Sequence, residues 1–199
     1  MTLTGTSASA FGQYFGSESR LRSLVRPLAN VPGAGLSTGH AGYLALQRRW
    51  AGCADGGLVA CRAFDRSLFA ASSVYVAERL GAAARRDFLD AADTGATLIL
   101  DAYGGAINAP HRADTAFPHR DARFSAQVLS YAPIPLAKSR VKRARAAIAK
   151  YGSGAYANYA DPDLGNALRN YYGANLPRLR RVKEEFDPAN RFRPSQGVK

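Results

Sequence analysis

The run Thr97-Leu98-Ile99-Leu100-Asp101-Ala102-Tyr103 most constrains what this chain folds into. It is an apolar, β-branched stretch that stops at Gly104-Gly105, so it reads as a strand closed by a turn. Helical periodicity brackets it. Upstream, Leu80, Ala84, Phe88 and Ala91 mark the apolar face of a helix near 82–92, and Gly95 suits the position just past its end. Downstream, Ser125 to Tyr131 is a second strand with Ala126, Val128 and Ser130 on one face. Pro133 and Pro135 then break the chain, and Ala137, Val141, Ala144 and Ile148 form the stripe of a basic helix from Leu136 to Tyr151. Strands that end in turns, interleaved with helices, predict an α+β fold: one antiparallel β-sheet covered on one face by α-helices. Neither GxGxxG nor GxxxxGK[ST] occurs, so a parallel nucleotide-binding domain is not the reading.

The remaining segments add detail. Residues 3–15 contain a β-like stretch. Ser17 reads as a helix N-cap with Glu18 in the first turn, and Leu21, Leu24, Val25 and Leu28 form one stripe to be buried. Pro27 ends that helix or sits in its last turn. Residues 30–41 read as a loop, Tyr43 to Trp50 as a short helix, Gly52 to Leu58 as another loop, and Phe69 to Val76 as extended chain. A last helix is expected from Asn175 to Glu185, with Leu176, Leu179, Val182 and Phe186 inward. No internal repeat is visible. The whole of 1–199 reads as one domain, with sheet and helices in 1–150 and a C-terminal segment in 151–199.

Composition sets limits. Apolar residues make up 47% and aromatics 10%, enough for a real core rather than a disordered chain. No apolar run reaches membrane-span length, and Met1 to Ala10 lacks the basic and apolar regions of a secretory signal. No membrane partner and a cytoplasmic location are therefore expected. The net charge of +12 invites anionic partners, but Arg far outnumbers Lys amid abundant Ala and Gly, which also fits a GC-rich genome. The basic helix has no interleaved aromatics, so a solvated face is preferred to a nucleic-acid grip. Cys53 and Cys61 complete no zinc pattern; a local disulfide and a pair of reduced thiols fit equally well. No metal site is expected.

Several residues carry chemistry worth weighing. Gly104-Gly105 fits a tight turn, or close backbone approach to a flat ligand. Asp101 at a strand end either caps that turn or acts as a base in a pocket. In His119-Arg120-Asp121, adjacent side chains diverge, so an ion pair of Arg120 with a carboxylate is a better reading than a catalytic dyad. Tyr156, Asn158 and Tyr159 form an aromatic and polar cluster. If extended, it turns Tyr156 and Asn158 one way and Tyr159 the other. Taken alone, the cluster fits core packing better than catalysis.

The order of these motifs is more specific than any one of them. Asp101-Ala102-Tyr103-Gly104-Gly105-Ala106-Ile107-Asn108 is followed by Thr115-Ala116-Phe117-Pro118-His119-Arg120-Asp121 and by Phe124-Ser125-Ala126-Gln127. Then come Tyr156-Ala157-Asn158-Tyr159-Ala160-Asp161, Tyr171-Tyr172-Gly173 and Phe186-Asp187-Pro188-Ala189-Asn190-Arg191-Phe192. Together they resemble the substrate domain and C-terminal segment of the berberine-bridge-enzyme-like FAD-linked oxidases. Gly12-Gln13-Tyr14-Phe15-Gly16-Ser17 and Arg49-Trp50-Ala51-Gly52-Cys53 resemble the start of that half in bacterial members. The family's flavin-binding domain has no counterpart in these residues, and Cys53 and Cys61 do not match its covalent flavin anchors. Tyr131-Ala132-Pro133 stands where members commonly carry Trp.

The resemblance implies FAD as cofactor and hydride removal from an alcohol, sugar or secondary-metabolite carbon. It implies Tyr159 as proton acceptor, with Asp101 or Tyr103 assisting. It places Gly104, Gly105, Asn158 and Asn190 near the flavin, and Tyr156, His119 and Arg120 near substrate. A phenol is a poor base near neutral pH, so Arg120 and the positive field are expected to stabilise the phenolate. The chain alone is expected not to hold FAD tightly. Its expected partners are a small-molecule substrate and either a separate FAD-binding subunit or a second copy. Either would cover an aromatic patch drawn from Tyr103, Tyr156, Tyr159, Tyr171 and Tyr172. A flavin-free domain that binds a small molecule or performs non-redox chemistry is the alternative, and an anion or nucleic-acid binder the third reading.

Overall fold

Alternation along the apolar runs becomes an antiparallel sheet in a computed structural model, which describes residues 1–53, 61 and 67–199. The strands are β1 (Thr2–Thr4), β2 (Ser7–Ser9), β3 (Ala70–Val76), β4 (Thr97–Ala102) and β5 (Phe124–Ser130). The helices are α1 (Glu18–Ala29), α2 (Tyr43–Trp50), α3 (Ala82–Asp93), α4 (Ile134–Ile148), α5 (Ala167–Tyr172) and α6 (Leu176–Phe186). Met1–Ala10 and Leu68–Lys199 form one compact unit, and Phe11–Ser67 another. Within the larger unit, Ser153 of the C-terminal segment pairs with Tyr75 of β3.

In the larger unit the sheet runs β2-β1-β4-β5-β3, every pair antiparallel. Register decides the faces. Val74 lies opposite Ala126, and Leu98 opposite Val128, so these side chains share the side that α3 and α4 cover. Phe88 and Ala91 of α3, with Val141, Ala144 and Ile148 of α4, complete the core, all at most 4% exposed. Each fully buried Ile or Val contributes about 1.5–3 kcal/mol, so this apolar layer dominates the unit's stability. Gly95 ends α3 at φ +82°, where a side chain would also meet the Arg140 guanidinium. Pro133 and Pro135 open α4, where a missing N–H costs nothing. The basic residues of α4 are partly taken up within the fold: Arg145 donates to the Ser73 carbonyl at 3.3 Å, and Lys138 pairs with Asp163 at 3.1 Å.

The opposite face is polar. One cross-strand row reads Asp101, Ser125, Tyr75, and the next Ile99, Gln127, Ser73. This face positions the candidate site.

In the smaller unit, Ser17 caps α1 by accepting from the Arg20 N–H at 3.3 Å, and Glu18 pairs with Arg22 at 2.8 Å. The expected burial of Leu21, Leu24, Val25 and Leu28 is not found. No residue of α1 is buried, and Leu24 and Leu28 are half exposed. Among the unit's described residues, no sheet stands opposite that stripe to cover it. Phe11 stacks on Trp50 with centroids 5.1 Å apart, and Cys53 and Cys61 are joined in a disulfide. The loop read over Gly52 to Leu58 lies mostly outside the described residues.

Two further expectations are corrected. The β-like stretch over 3–15 is a short hairpin that ends at Ser9. Of the residues expected to face inward on α6, only Leu176 is buried, while Phe186 is 77% exposed. The helix contacts α5, while Val182 and Phe186 on its later turns lie open.

Candidate active site

The site grows from the end of β4. Asp101 is the last odd-numbered residue of the strand, so it projects onto the polar face and is exposed there. Its carboxylate therefore avoids the cost that burial in an apolar strand would impose. Tyr103 follows and stays in line with β5 by donating its N–H to the Arg123 carbonyl at 2.8 Å. Gly104 and Gly105 then turn the chain at φ +134° and +52°. A Cβ at either would meet nothing within 4 Å. The glycines are thus required by backbone conformation, and the space beside them is open.

A second segment comes from the C-terminal region. Ser153 and Tyr75 exchange two backbone hydrogen bonds, of 2.9 and 3.0 Å, along the edge of β3. Tyr156 then donates its N–H to Ser73 Oγ at 2.8 Å. Residues 156–159 form a turn rather than extended chain, because the Tyr159 N–H bonds the Tyr156 carbonyl at 3.0 Å. The turn sets the two rings edge to face, 5.0 Å apart. Asn158 donates to the Tyr156 hydroxyl at 2.9 Å.

This turn puts Tyr159 close enough to Asp101 to feel its charge. The Tyr159 hydroxyl has its pKa raised, first by burial and then by the charge of Asp101, with Tyr103 and Tyr156 adding to it. The expected stabilisation of a phenolate by Arg120 is therefore corrected. Arg120 donates instead to the Ile107 carbonyl at 2.7 Å and to Thr115 Oγ1 at 2.8 Å, and lies over the Phe117 ring. Nor, among the described residues, does Arg120 pair with a carboxylate: Asp121 pairs with Arg112, at 2.6 Å.

The sequence reading missed Tyr75. Its ring is 3% exposed and meets Tyr103, Phe117, His119 and Tyr156. Its hydroxyl lies 3.4 Å from that of Tyr103, and burial pushes its pKa far up. Period-2 alternation in β3, carried from Ser73 to Tyr75, was the signal available for it. Ser125, between Asp101 and Tyr75 in the same row, is 2% exposed and its hydroxyl has no protein partner.

The other expected site residues divide. Tyr103, Tyr156 and Tyr159 are half-buried around this face and Asn158 is exposed beside them. His119 is half-buried beneath Tyr75. Asn190 stands apart, at φ +47°, where its N–H bonds the Asp187 carbonyl and it lines a separate cavity with Arg193 and Ser195. Of the aromatic patch, Tyr171 is corrected to a buried residue: its hydroxyl is held by Gln196 and by the Asp161 N–H. Among the described residues no cluster of His, Cys, Asp and Glu is arranged to hold a metal ion.

Comparison with known proteins gives a consistent result. The family model described as berberine and berberine-like matches residues 155–199. Chitooligosaccharide oxidase of Gibberella zeae is 31% identical over 96% of this chain, which covers 43% of that protein. Carbohydrate oxidase of Microdochium nivale is 34% identical over 50% of the chain and 23% of its own length. Among solved structures, wild-type BBE-like 1 of Physcomitrella patens superposes with a TM-score of 0.79 at 28% identity, over 92% of this chain and 43% of that one. The chain thus spans less than half the length of each relative.

Proposed function

We propose, for a chain that belongs to the berberine-bridge-enzyme-like FAD-linked oxidases, that its polar sheet face is the substrate wall of an enzyme oxidising a sugar hydroxyl. The observation that carries this reading is Tyr159 set edge to face with Tyr156, within reach of the Asp101 charge, on a face rimmed by aromatic rings. The oxidases of chitooligosaccharides and carbohydrates among the relatives support a sugar as the substrate class.

The family's cofactor is FAD. The residues fit one wall of a flavin site. Open space beside Gly104 and Gly105 admits a flat ring to their backbone. The site lacks a glycine-rich phosphate cradle of known pattern, so a flavin-binding domain or subunit is the partner this reading requires. When bound, FAD supplies a two-electron acceptor for hydride.

The chain's own residues move the proton. Hydride leaves an alcohol carbon more readily as the hydroxyl proton is withdrawn. Tyr159 is held as a neutral phenol, so it is not the resting base. Its oxygen accepts the substrate proton while its own proton passes to the Asp101 carboxylate. Tyr159 then never has to exist as a free phenolate. Tyr156 and Tyr103 offer apolar ring faces to the sugar, while Gln127 offers hydrogen bonds from the sheet.

Co-expression with the flavin-binding half of a relative tests the reading. A yellow assembly that consumes oxygen or reduces a dye with oligosaccharides, and not with apolar alcohols, is expected. A folded, flavin-loaded assembly that turns over no sugar would reject the substrate class.

A further inference from the structure

His119 has no part in the proton transfer just described, yet it touches three stretches of chain at once. Its imidazole lies parallel to the Tyr75 ring, with centroids 4.1 Å apart and planes 18° apart, and Phe117 meets it edge-on at 5.4 Å. In the tautomer protonated at Nε2, it donates to the Tyr171 carbonyl at 3.2 Å. On a third side, Gly154 at φ +65° leaves so little room that a Cβ would stand 2.2 Å from His119 Cε1. The ring therefore braces β3, the loop before β5 and the C-terminal segment against one another. Tyr75, the residue it stacks on, has its hydroxyl 3.4 Å from that of Tyr103. The Tyr103 phenol is among the groups that raise the pKa of the Tyr159 hydroxyl.

We propose that His119 is a positioning residue: its neutral imidazole fixes the Tyr75 ring and, through the Tyr75 hydroxyl, the Tyr103 hydroxyl that borders the Tyr159–Asp101 pair. The kinetic consequence rests on the role proposed for that pair. The mechanical link from His119 to Tyr103 does not.

Geometry is joined by charge. Burial holds the imidazole below the ordinary histidine range, against the carbonyls of Tyr171, Ala155 and Asn170 and the charge of Asp121, which favour the cation. The other facing group is the Tyr75 phenol, and the Arg120 guanidinium is turned to Ile107 and Thr115. With its folded pKa below the unfolded value near 6.5, His119 contributes fully above about pH 6.5 and loses its contribution as pH falls through the folded value. Protonation places a charge on the stacked ring and demands a partner for a second N–H.

The test follows the tyrosine ζ-carbons of this chain by NMR between pH 7.5 and 4.5. The Tyr75 and Tyr103 resonances are expected to shift together with the protonation step seen at the His119 ring. His119→Phe, which keeps a ring for the stack, should abolish the step at both. Should that variant fail to fold, Tyr75→Phe serves instead: His119 should titrate as before while the step at Tyr103 disappears. A Tyr103 resonance that ignores the His119 step, or one that keeps it in either variant, would overturn the proposal. In the flavin-loaded assembly, His119→Phe should lower kcat about tenfold with KM unchanged. If Tyr159→Phe leaves the rate intact while the NMR coupling is present, the role of Tyr159 fails and the positioning role of His119 stands.

Discussion

Replacing Gly152 with alanine is expected to loosen the C-terminal segment from the edge of the sheet. Gly152 has extended backbone angles that any residue adopts, so the substitution introduces no conformational strain. What it introduces is contact. A Cβ there would lie 2.2 Å from the Tyr75 carbonyl oxygen and 2.6 Å from Val74 Cγ1. The chain has two responses. It can keep the pairing and accept overpacking, which costs about 1–3 kcal/mol. It can instead give up the two bonds between Ser153 and Tyr75, each worth about 0.5–1.5 kcal/mol net. Either way the local cost is about 1–3 kcal/mol, so the segment opens roughly 5- to 150-fold more often. Amide hydrogen exchange reads this directly. Exchange at Ser153 and Tyr156 should speed by that factor, while Val128 in the middle of β5 keeps its protection. Unchanged exchange at Ser153 and Tyr156 would show that close approach at Gly152 is not what seats the tyrosines on the sheet.

Three other outcomes are expected. Ile148→Ala, at a fully buried position beneath the sheet, should cost about 2–5 kcal/mol and lower the thermal midpoint by roughly 5–15 °C. Asp187 has its carboxyl pulled below the usual range by Lys183 and by the N–H groups of Arg191 and Phe192. The turn it anchors should therefore stay protected above about pH 4 and loosen as pH falls through the lowered folded value, a transition that Asp187→Asn removes and amide exchange at Arg191 reports. The chain alone should lose FAD on dialysis, measured by flavin absorbance.

The parts of the fold legible in the sequence are those where a single periodicity meets a single partner. Ala137, Val141, Ala144 and Ile148 read as a stripe, and all four are buried, because α4 lies on one face of one sheet. Leu21, Leu24, Val25 and Leu28 read equally well as a stripe, yet they are not buried. Amphipathicity states which side of a helix seeks cover and not what covers it. The candidate site shows the same limit. Asp101 and Tyr103 were readable at the end of a strand. The approach of Tyr159 toward the Asp101 charge depends on a turn seated by Ser73 and Tyr75, residues 83 and 78 positions before Tyr156 and Ser153. Tyr75 escaped notice because an apolar strand run does not announce that one of its two faces is polar. Arg120 was assigned by its charge, but the hydrogen bonds of its loop claim it first.

The central claim is that Tyr159 and Asp101 pass the substrate proton between them. Single-turnover flavin reduction by a sugar, in the assembly reconstituted with a flavin-binding half, tests it most directly. Tyr159→Phe keeps the ring and removes the hydroxyl, and Asp101→Asn keeps the shape and removes the charge. Each should slow reduction by roughly 10²–10⁴-fold with sugar binding nearly intact. The double variant should be little slower than either single one, because the two residues act as a unit. Reduction at the parent rate in Tyr159→Phe would mean that the phenol only packs against Tyr156, and the account of the site would be wrong.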